Sequence, residues 1–201
     1  MQDIILATTN PAKLARLRWL VEDLPLTPLS PAETAVNVTV IESGATHEEN
    51  ANLKAAAWSK AVDGLALSSD GGLVIPALGD GWDSVHTARF AGPEADDRQR
   101  TDALLELMKG LSGKERRAHW TEAISLADRG QVLKTWTRQS RDGAIAETFE
   151  PEQLVQGFWV FTLWWFPELG KRYVDLTPNE LERVEDHWTW LRNDVREFWK
   201  R

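Results

Sequence analysis

The first thirteen residues join an apolar run directly to the start of a helix, and this junction restricts the fold more than any other feature of the chain. Residues 4–7 are all apolar and predict a short buried strand. Asn10 is a typical N-cap residue, and Pro11 is typical of the first helical position. Lys13 then falls in the first helical turn, where the helix dipole favours anions. The sequence therefore predicts a strand-to-helix connection with a lysine placed to meet a negatively charged group.

The remaining patterns predict an α/β fold. Helical spacing or capping signals predict helices at 11–24, 47–61 and 96–111, and a long C-terminal helix that opens at the capping box of 177–180. Strands are predicted at 35–42 and, as two pieces broken by a turn at 70–72, within 65–78, while 24–33 is predicted to be a connection. A hairpin is predicted within 118–139, with its turn at 128–130. Alternating strands and helices followed by clustered strands favour a mixed sheet flanked by helices.

Composition excludes several classes of function. The net charge is −8 and no basic tract occurs, so we expect no nucleic-acid polymer as a partner. Cysteine is absent, which excludes disulfides, thiolate catalysis and cysteine-ligated zinc. The most apolar run, 157–166, is too short to cross a bilayer as a helix. The apolar stretch near the N-terminus, 4–7, is too short for a signal peptide. We therefore expect a cytoplasmic protein with no membrane association.

The first candidate site lies at the opening junction. Thr8, Thr9 and Asn10 offer hydroxyl and amide donors, and the free N–H groups of the helix start point the same way. With Lys13 they would form a cradle for phosphate oxygens. The alternative is an ordinary N-cap followed by a solvated lysine.

The second candidate lies in residues 46–57. Thr46 and Glu49 have the spacing of a capping box, and Asn50 and Lys54 share one helix face with Glu49 at its edge. The alternative is a solvated helix surface. The four histidines lack metal-ligand spacing, so we expect them to be surface or packing residues.

The third candidate is Asp70, which two glycines follow. An acid at a strand end with Gly71 and Gly72 behind it allows a metal or phosphate to approach the backbone closely, although this stretch by itself slightly favours the alternative of a plain Asp-Gly turn. Taken together, the three stretches describe a magnesium-assisted phosphate site. Glu49 and Asp70 would be its carboxylates, and lysines 13 and 54 would neutralise phosphate charge.

The order of these stretches is similar to that of a known family. The segments "LATTNPAK", "ESGATHEENANLKA", "SSDGGL" and "HTARFAG" occur in sequence over about the first 110 residues. They resemble the successive motifs of the inosine/xanthosine triphosphate pyrophosphatases. Those enzymes use magnesium to hydrolyse non-canonical purine nucleoside triphosphates to monophosphate and pyrophosphate. The resemblance implies an elongated mixed sheet with two lobes and a central cleft, and usually a homodimer.

The resemblance also implies roles and boundaries. Thr8, Asn10 and Lys13 would contact the triphosphate, Lys54 would bind phosphate, and Glu49 and Asp70 would serve the metal, with Asp70 as the base. Thr9 and Gly71 are further candidates for substrate contact. One domain, 1–201, would contain a phosphate and metal lobe made of 1–112 and the helix 178–200, and a second lobe at 113–176.

The second half of the chain departs from the family pattern. The family's paired aspartates and serine become Ser69-Asp70-Gly71, and "GDGWDSVHTAR" replaces a shorter glycine-proline loop. The family's base-reading motif aligns with 158–161, which is aromatic and apolar here, and its serine-histidine-arginine motif aligns with 186–188. Phe158 and His187 are the candidate substrate contacts that remain in these motifs. Eight of the 11 tryptophans follow residue 113, either filling the second lobe or lining a pocket or subunit interface.

Two functions follow from these observations. The first is a magnesium-dependent nucleoside triphosphate pyrophosphatase with altered base recognition. The second is a catalytically silent nucleotide- or partner-binding protein that keeps the fold and uses its tryptophan-rich lobe for interaction.

Overall fold

The computed structural model describes residues 1–87, 90–92, 94–155 and 159–200. Its strands are β1 (Gln2–Leu6), β2 (Leu26–Leu29), β3 (Leu65–Val74), β4 (Arg117–Asp128), β5 (Gln131–Gln139), β6 (Gly143–Ile145), β7 (Trp164–Phe166) and β8 (Lys171–Arg172). Its helices are α1 (Pro11–Val21), α2 (His47–Ala61), α3 (Asp97–Leu107), α4 (Trp159–Leu163), α5 (Pro178–Val184) and α6 (Asp186–Trp199). No helix in the described ranges is both long and apolar enough to cross a membrane.

The strands form a mixed sheet in the order β2-β1-β3-β4-β6-β7-β8, with β5 paired to β4. The pairs β1–β2 and β1–β3 are parallel, whereas β4–β6, β6–β7 and β7–β8 are antiparallel. This arrangement confirms the predicted α/β class. The chain divides into two compact units. Unit 1 consists of 1–71, 122–138 and 187–201, and unit 2 of 72–121 and 139–186. These limits differ from the lobe limits that the sequence predicts, and the assignment of functions to lobes stays a prediction.

Unit 1 is organised around β1, whose alternating side chains enter two apolar layers. Ile4 and Leu6 lie in a core with side chains from α1, β3 and α6, such as Leu17 and Leu191. Ile5 and Ala7 face the other way, into a cluster that contains Trp58 of α2. A strand that is buried on both faces is a continuous apolar run, which is what residues 4–7 show.

Unit 2 has a core rich in aromatic side chains. Trp164 of β7 is 1% exposed and stacks on Tyr173 with ring centroids 5.5 Å apart. Phe161 of α4 lies 5.3 Å from Trp120 and 4.5 Å from Tyr173. Several of the late tryptophans therefore fill this core, with exposures of 6% for Trp159 and 1% for Trp164.

Several local predictions are confirmed. Asn10 caps α1 by accepting from the N–H groups of Ala12 and Lys13. The hairpin turns at Arg129-Gly130, both with positive φ, as a two-residue turn of this kind requires. The capping box at Thr177 and Glu180 opens α5 as predicted.

Other predictions are wrong, and the reasons differ. Residues 24–33 are not only a connection but contain β2. Pro28 is tolerated in this strand because β2 lies at the edge of the sheet, where a missing N–H costs little. Residues 35–42 form no strand, and Val38 and Val40 instead pack against the Ile5 cluster. β3 runs unbroken through 70–72, because glycine also tolerates extended backbone. The C-terminal helix breaks at Glu185, whose carboxylate accepts a hydrogen bond from the Tyr173 hydroxyl at 2.5 Å.

Candidate functional site

The centre of the site is Asp70, a buried carboxylate within β3 of unit 1. It is 7% exposed, and each of its oxygens has a partner from α2. Lys54 Nζ donates to Oδ1 at 2.8 Å, and His47 Nδ1 lies 2.6 Å from Oδ2. His47 and Lys54 are seven residues apart, about two helical turns, so one face of α2 carries both partners.

The start of α2 is fixed by a dense set of local hydrogen bonds. Thr46 Oγ1 accepts from the N–H of Glu49 at 3.1 Å, and the Glu49 carboxylate accepts from the N–H of Ala45 at 2.6 Å. Asn50 Oδ1 accepts from the N–H of Gly44 at 2.8 Å. A Cβ at Gly44 would lie 2.6 Å from the Glu49 Cβ, so only glycine fits this close approach. These contacts hold the face that carries His47 and Lys54 in one register.

The electrostatic balance at Asp70 favours the ionised carboxylate. Burial raises the pKa of Asp70, but the His47 hydrogen bond and the positive charge of Lys54 outweigh burial and lower the pKa to about 2. The positive charge of Lys13 lowers it further. Lys54 thus contacts Asp70 directly, and Lys13 lies near enough for its charge to lower the Asp70 pKa.

Lys54 also has a second partner. Its Nζ donates to the Glu42 carboxylate at 3.1 Å, and the Lys54 side chain is only 14% exposed. Glu42 lies in a segment without helix or strand. Sequence reasoning missed both Glu42 and His47 as site residues. Their only signal is their place inside the "ESGATHEENANLKA" segment. The contacts of Glu42 with Lys54 and of His47 with Asp70 join residues far apart in the sequence, so local patterns do not show them.

The β1–α1 connection presents the second group of predicted residues. Asn10 N–H donates to Thr8 Oγ1 at 3.2 Å, so the loop is held by its own polar side chains. Thr9 and Asn10 are exposed, whereas Thr8 and Lys13 are half-buried. The Asn10 cap uses the N–H groups of Ala12 and Lys13, so the donors that face an anion here are side chains: the Thr8 and Thr9 hydroxyls, the Asn10 amide and the Lys13 ammonium.

Magnesium fits this donor set only as an ion shared with a ligand. Within the part of the chain that the structure describes, no three His, Asp or Glu side chains form a metal-binding group. Asp70 offers hard carboxylate oxygens with more than one lone pair each, and the Glu49 carboxylate, which accepts from the Ala45 N–H, would have to join it at the same ion. Magnesium is commonly held by one or two carboxylates together with waters and substrate phosphates. The residues therefore suit a metal that arrives with a phosphate ligand.

The other predicted site residues are placed less clearly. Gly71 follows Asp70 in β3 and ends unit 1 at this point of the chain. Phe158 lies outside the described residues. His187 is 1% exposed on α6, and neither ring nitrogen has a hydrogen-bond partner among the described residues. Burial, together with the charge of Arg16, lowers the pKa of His187 to about 3, so its ring is neutral.

These features define a class: an α/β protein with a buried carboxylate–ammonium site next to parallel strands, suited to a phosphate-bearing ligand. Comparison with known proteins identifies the family. Residues 4–185 match the model of the Ham1 family, and the chain belongs to that family. The resemblance that the four motifs predict is thereby confirmed.

Relatives and solved structures agree with this assignment. A dITP/XTP pyrophosphatase of Thermus thermophilus is 36% identical over 94% of this chain and 88% of that protein. The dITP/XTP pyrophosphatase of Bacillus subtilis is 32% identical over 92% of this chain and 90% of that protein. The structure of a HAM1 protein from Coxiella burnetii superposes with a TM-score of 0.82 at 27% identity, covering 98% of this chain and 100% of that one.

Proposed function

We propose that this chain is a nucleoside triphosphate pyrophosphatase that releases a nucleoside monophosphate and pyrophosphate with the help of magnesium. The observation that carries the proposal is the buried Asp70 carboxylate, paired with Lys54 and held in a chain whose relatives are dITP/XTP pyrophosphatases. Such a carboxylate is ionised at neutral pH and lies on elements that keep it in place.

The phosphates would be bound by cations and by a helix start. Lys13 and Lys54 neutralise phosphate charge, the dipole of α1 favours the anion, and the side chains of Thr8, Thr9 and Asn10 donate hydrogen bonds to phosphate oxygens. Phosphoryl transfer depends mainly on positioning and charge stabilisation, so such groups supply a large part of the catalysis.

Asp70 and Glu49 would hold the metal. Bound magnesium would polarise the phosphate oxygens and acidify the attacking water. Water attacks the α-phosphorus. The bond from the α-phosphorus to the oxygen that bridges the α- and β-phosphates then breaks, and pyrophosphate leaves with that oxygen. Asp70 orients this water and accepts its proton. A pKa near 2 makes Asp70 a weak proton acceptor, so its main contribution is orientation rather than basicity.

We propose in addition that base recognition differs from that of the inosine enzymes. The positions aligned with the family's base-reading motif, 158–161, carry no side chain that reads a purine edge through a charge or an amide. Phe161, the last of them, packs between Trp120 and Tyr173 in unit 2. Without side chains that hydrogen-bond a purine edge, the site discriminates less between bases, so we expect a broader choice of base.

The test is product analysis with a panel of nucleoside triphosphates that contains dITP, XTP and the canonical nucleotides, each with magnesium. We expect pyrophosphate and monophosphate in equal amounts, and rates for different bases that differ less than tenfold. Release of inorganic phosphate alone would refute the proposed reaction, and a strong preference for dITP and XTP would refute altered base recognition. Tight binding of all nucleotides without turnover would instead support the catalytically silent alternative. The homodimer stays a prediction, which sedimentation equilibrium would check.

A further inference from the structure

His47 contacts Asp70 directly but has no role in the proposed reaction. It is 7% exposed, and its Nδ1 lies 2.6 Å from Asp70 Oδ2. The expectation that all four histidines are surface or packing residues is therefore incomplete, since this ring makes a short polar contact with the central carboxylate.

The contact differs in kind from that of Lys54. Lys54 engages Oδ1 and His47 engages Oδ2, so the two donors approach the two oxygens separately. Two such contacts stop rotation of the carboxylate about its Cβ–Cγ bond, whereas one contact allows it to swing. Because both donors belong to α2, the helix and the carboxylate of β3 are fixed to each other.

We propose that His47 is a positioning residue for Asp70. Its Nδ1–H donates to Oδ2 and sets the carboxylate plane, so that the remaining lone pairs point at the metal and the attacking water. This inference rests on the proposed function, because it assigns His47 a role in the same site. Each carboxylate oxygen has about two lone-pair sites, so one donor on each leaves an acceptor position open.

A second histidine–aspartate pair shows that the distance alone does not imply this role. His86 Nδ1 also lies 2.6 Å from a carboxylate, that of Asp83, but the two side chains are 41% and 57% exposed. Water can replace either partner there. At Asp70 the carboxylate is 10% exposed, so the direction of its lone pairs depends on its protein partners.

The experiment compares two variants of the full chain. His47→Phe keeps a ring of similar size without a donor, and His47→Asn places an amide N–H where Nδ1 lies. With dITP and magnesium we expect His47→Phe to lower kcat about tenfold or more with KM changed less than twofold, and His47→Asn to recover most of the loss. Equal losses in both variants, or an unchanged kcat in His47→Phe, would overturn the proposal. Thermal unfolding of both variants shows whether any loss reflects misfolding.

A second readout does not depend on turnover. In the folded wild type we expect a strongly downfield nitrogen-bound proton signal from His47 that is lost in Asp70→Asn and persists in His86→Asn. The Asp70 carboxylate carbon shift should move in His47→Phe and return in His47→Asn. If the wild type shows no turnover, the proposed function fails, and these signals still decide the positioning role. A carbon shift that His47→Phe leaves unchanged would refute it.

Discussion

Asp70 in unit 1 and Arg116 in unit 2 are both buried charged groups, but they are satisfied in opposite ways. Asp70 is paired with ionisable side chains, Lys54 and His47. Arg116 is 6% exposed, and its hydrogen bonds within the described ranges go to backbone carbonyls. These are Nε to Ile145 at 2.7 Å, Nη1 to Met108 at 3.0 Å and Leu111 at 3.2 Å, and Nη2 to Ala146 at 2.7 Å.

This difference separates a functional buried charge from a structural one. Backbone carbonyls cannot leave the guanidinium without unfolding the segments that they belong to, so Arg116 holds α3, β6 and their loops together. The Lys54 ammonium has three donors and uses two of them on Asp70 and Glu42, so it can also bind a phosphate without loss of fold. Burial disfavours the charged form of both groups: it lowers the pKa of Arg116, and at Asp70 it acts to raise the pKa, although the partners of Asp70 outweigh it. The kind of partner, not burial itself, therefore distinguishes the two regions.

The largest expected effect is that of Asp70→Asn on activity. The amide is an uncharged and weaker metal ligand and cannot accept a proton, so we expect pyrophosphate release to fall by about 10³-fold, which corresponds to about 4 kcal/mol of transition-state stabilisation. Steady-state kinetics with dITP and magnesium measure this loss. Asp102→Asn, which removes an exposed charge paired with Arg98, is the control and should keep the wild-type rate. An equal loss of activity in both variants would contradict a specific role of Asp70 in the reaction.

The second prediction concerns stability rather than activity. Arg116→Met removes the donor of four backbone carbonyls, two of them in buried hydrogen bonds, so we expect the free energy of unfolding to fall by about 3 kcal/mol. The folded variant should keep kcat within a factor of two at low temperature. Arg117→Met is the matched control, because its exposed pair with Asp142 contributes less than about 0.5 kcal/mol. Urea unfolding of the two variants checks this difference, and equal values would contradict the structural role of Arg116.

The third prediction concerns His187, a buried titratable ring of unit 1. Among the described residues, neither a side chain nor a backbone carbonyl forms a hydrogen bond with its ring nitrogens. Its folded-state pKa of about 3 lies below its ordinary value of 6.5, so the unfolded chain binds the extra proton first. The stability that neutral His187 allows is present above pH 6.5 and is lost as pH falls towards 3. We expect a loss of about 2 kcal/mol between pH 7 and pH 5.

Urea unfolding at pH 7 and pH 5 measures this loss, and His187→Phe should remove most of it. If the variant retains the full pH dependence, then His187 is charged in the folded state or another group dominates.

Elements with local signals are the ones that sequence reasoning placed correctly. The cap at Asn10, the turn at Arg129-Gly130 and the box at Thr177 each act within a few residues, and the structure contains all three. β2 and the unbroken β3 depend on pairing partners far along the chain, which periodicity does not show. The four-motif order was sufficient to identify the family, because several weak signals in a fixed order are specific together.

The candidate site was only partly predictable for the same reason. Residue type and motif context predict Asp70 and Lys54 as site residues, and the two form a contact. No local pattern predicts Glu42 and His47, because their partners, Lys54 and Asp70, lie 12 and 23 residues away. The turn expected at Asp70 became a strand interior, which explains why its carboxylate is buried rather than exposed.

A crystal structure with manganese and a non-hydrolysable dITP analogue tests the central claim most directly. Manganese replaces magnesium with similar oxygen ligands, and its anomalous scattering locates the ion. We predict an ion bound to an Asp70 oxygen, with triphosphate oxygens on Lys13 and Lys54. An ion and a triphosphate bound elsewhere, with neither of them in contact with Asp70, Lys13 or Lys54, would contradict the account.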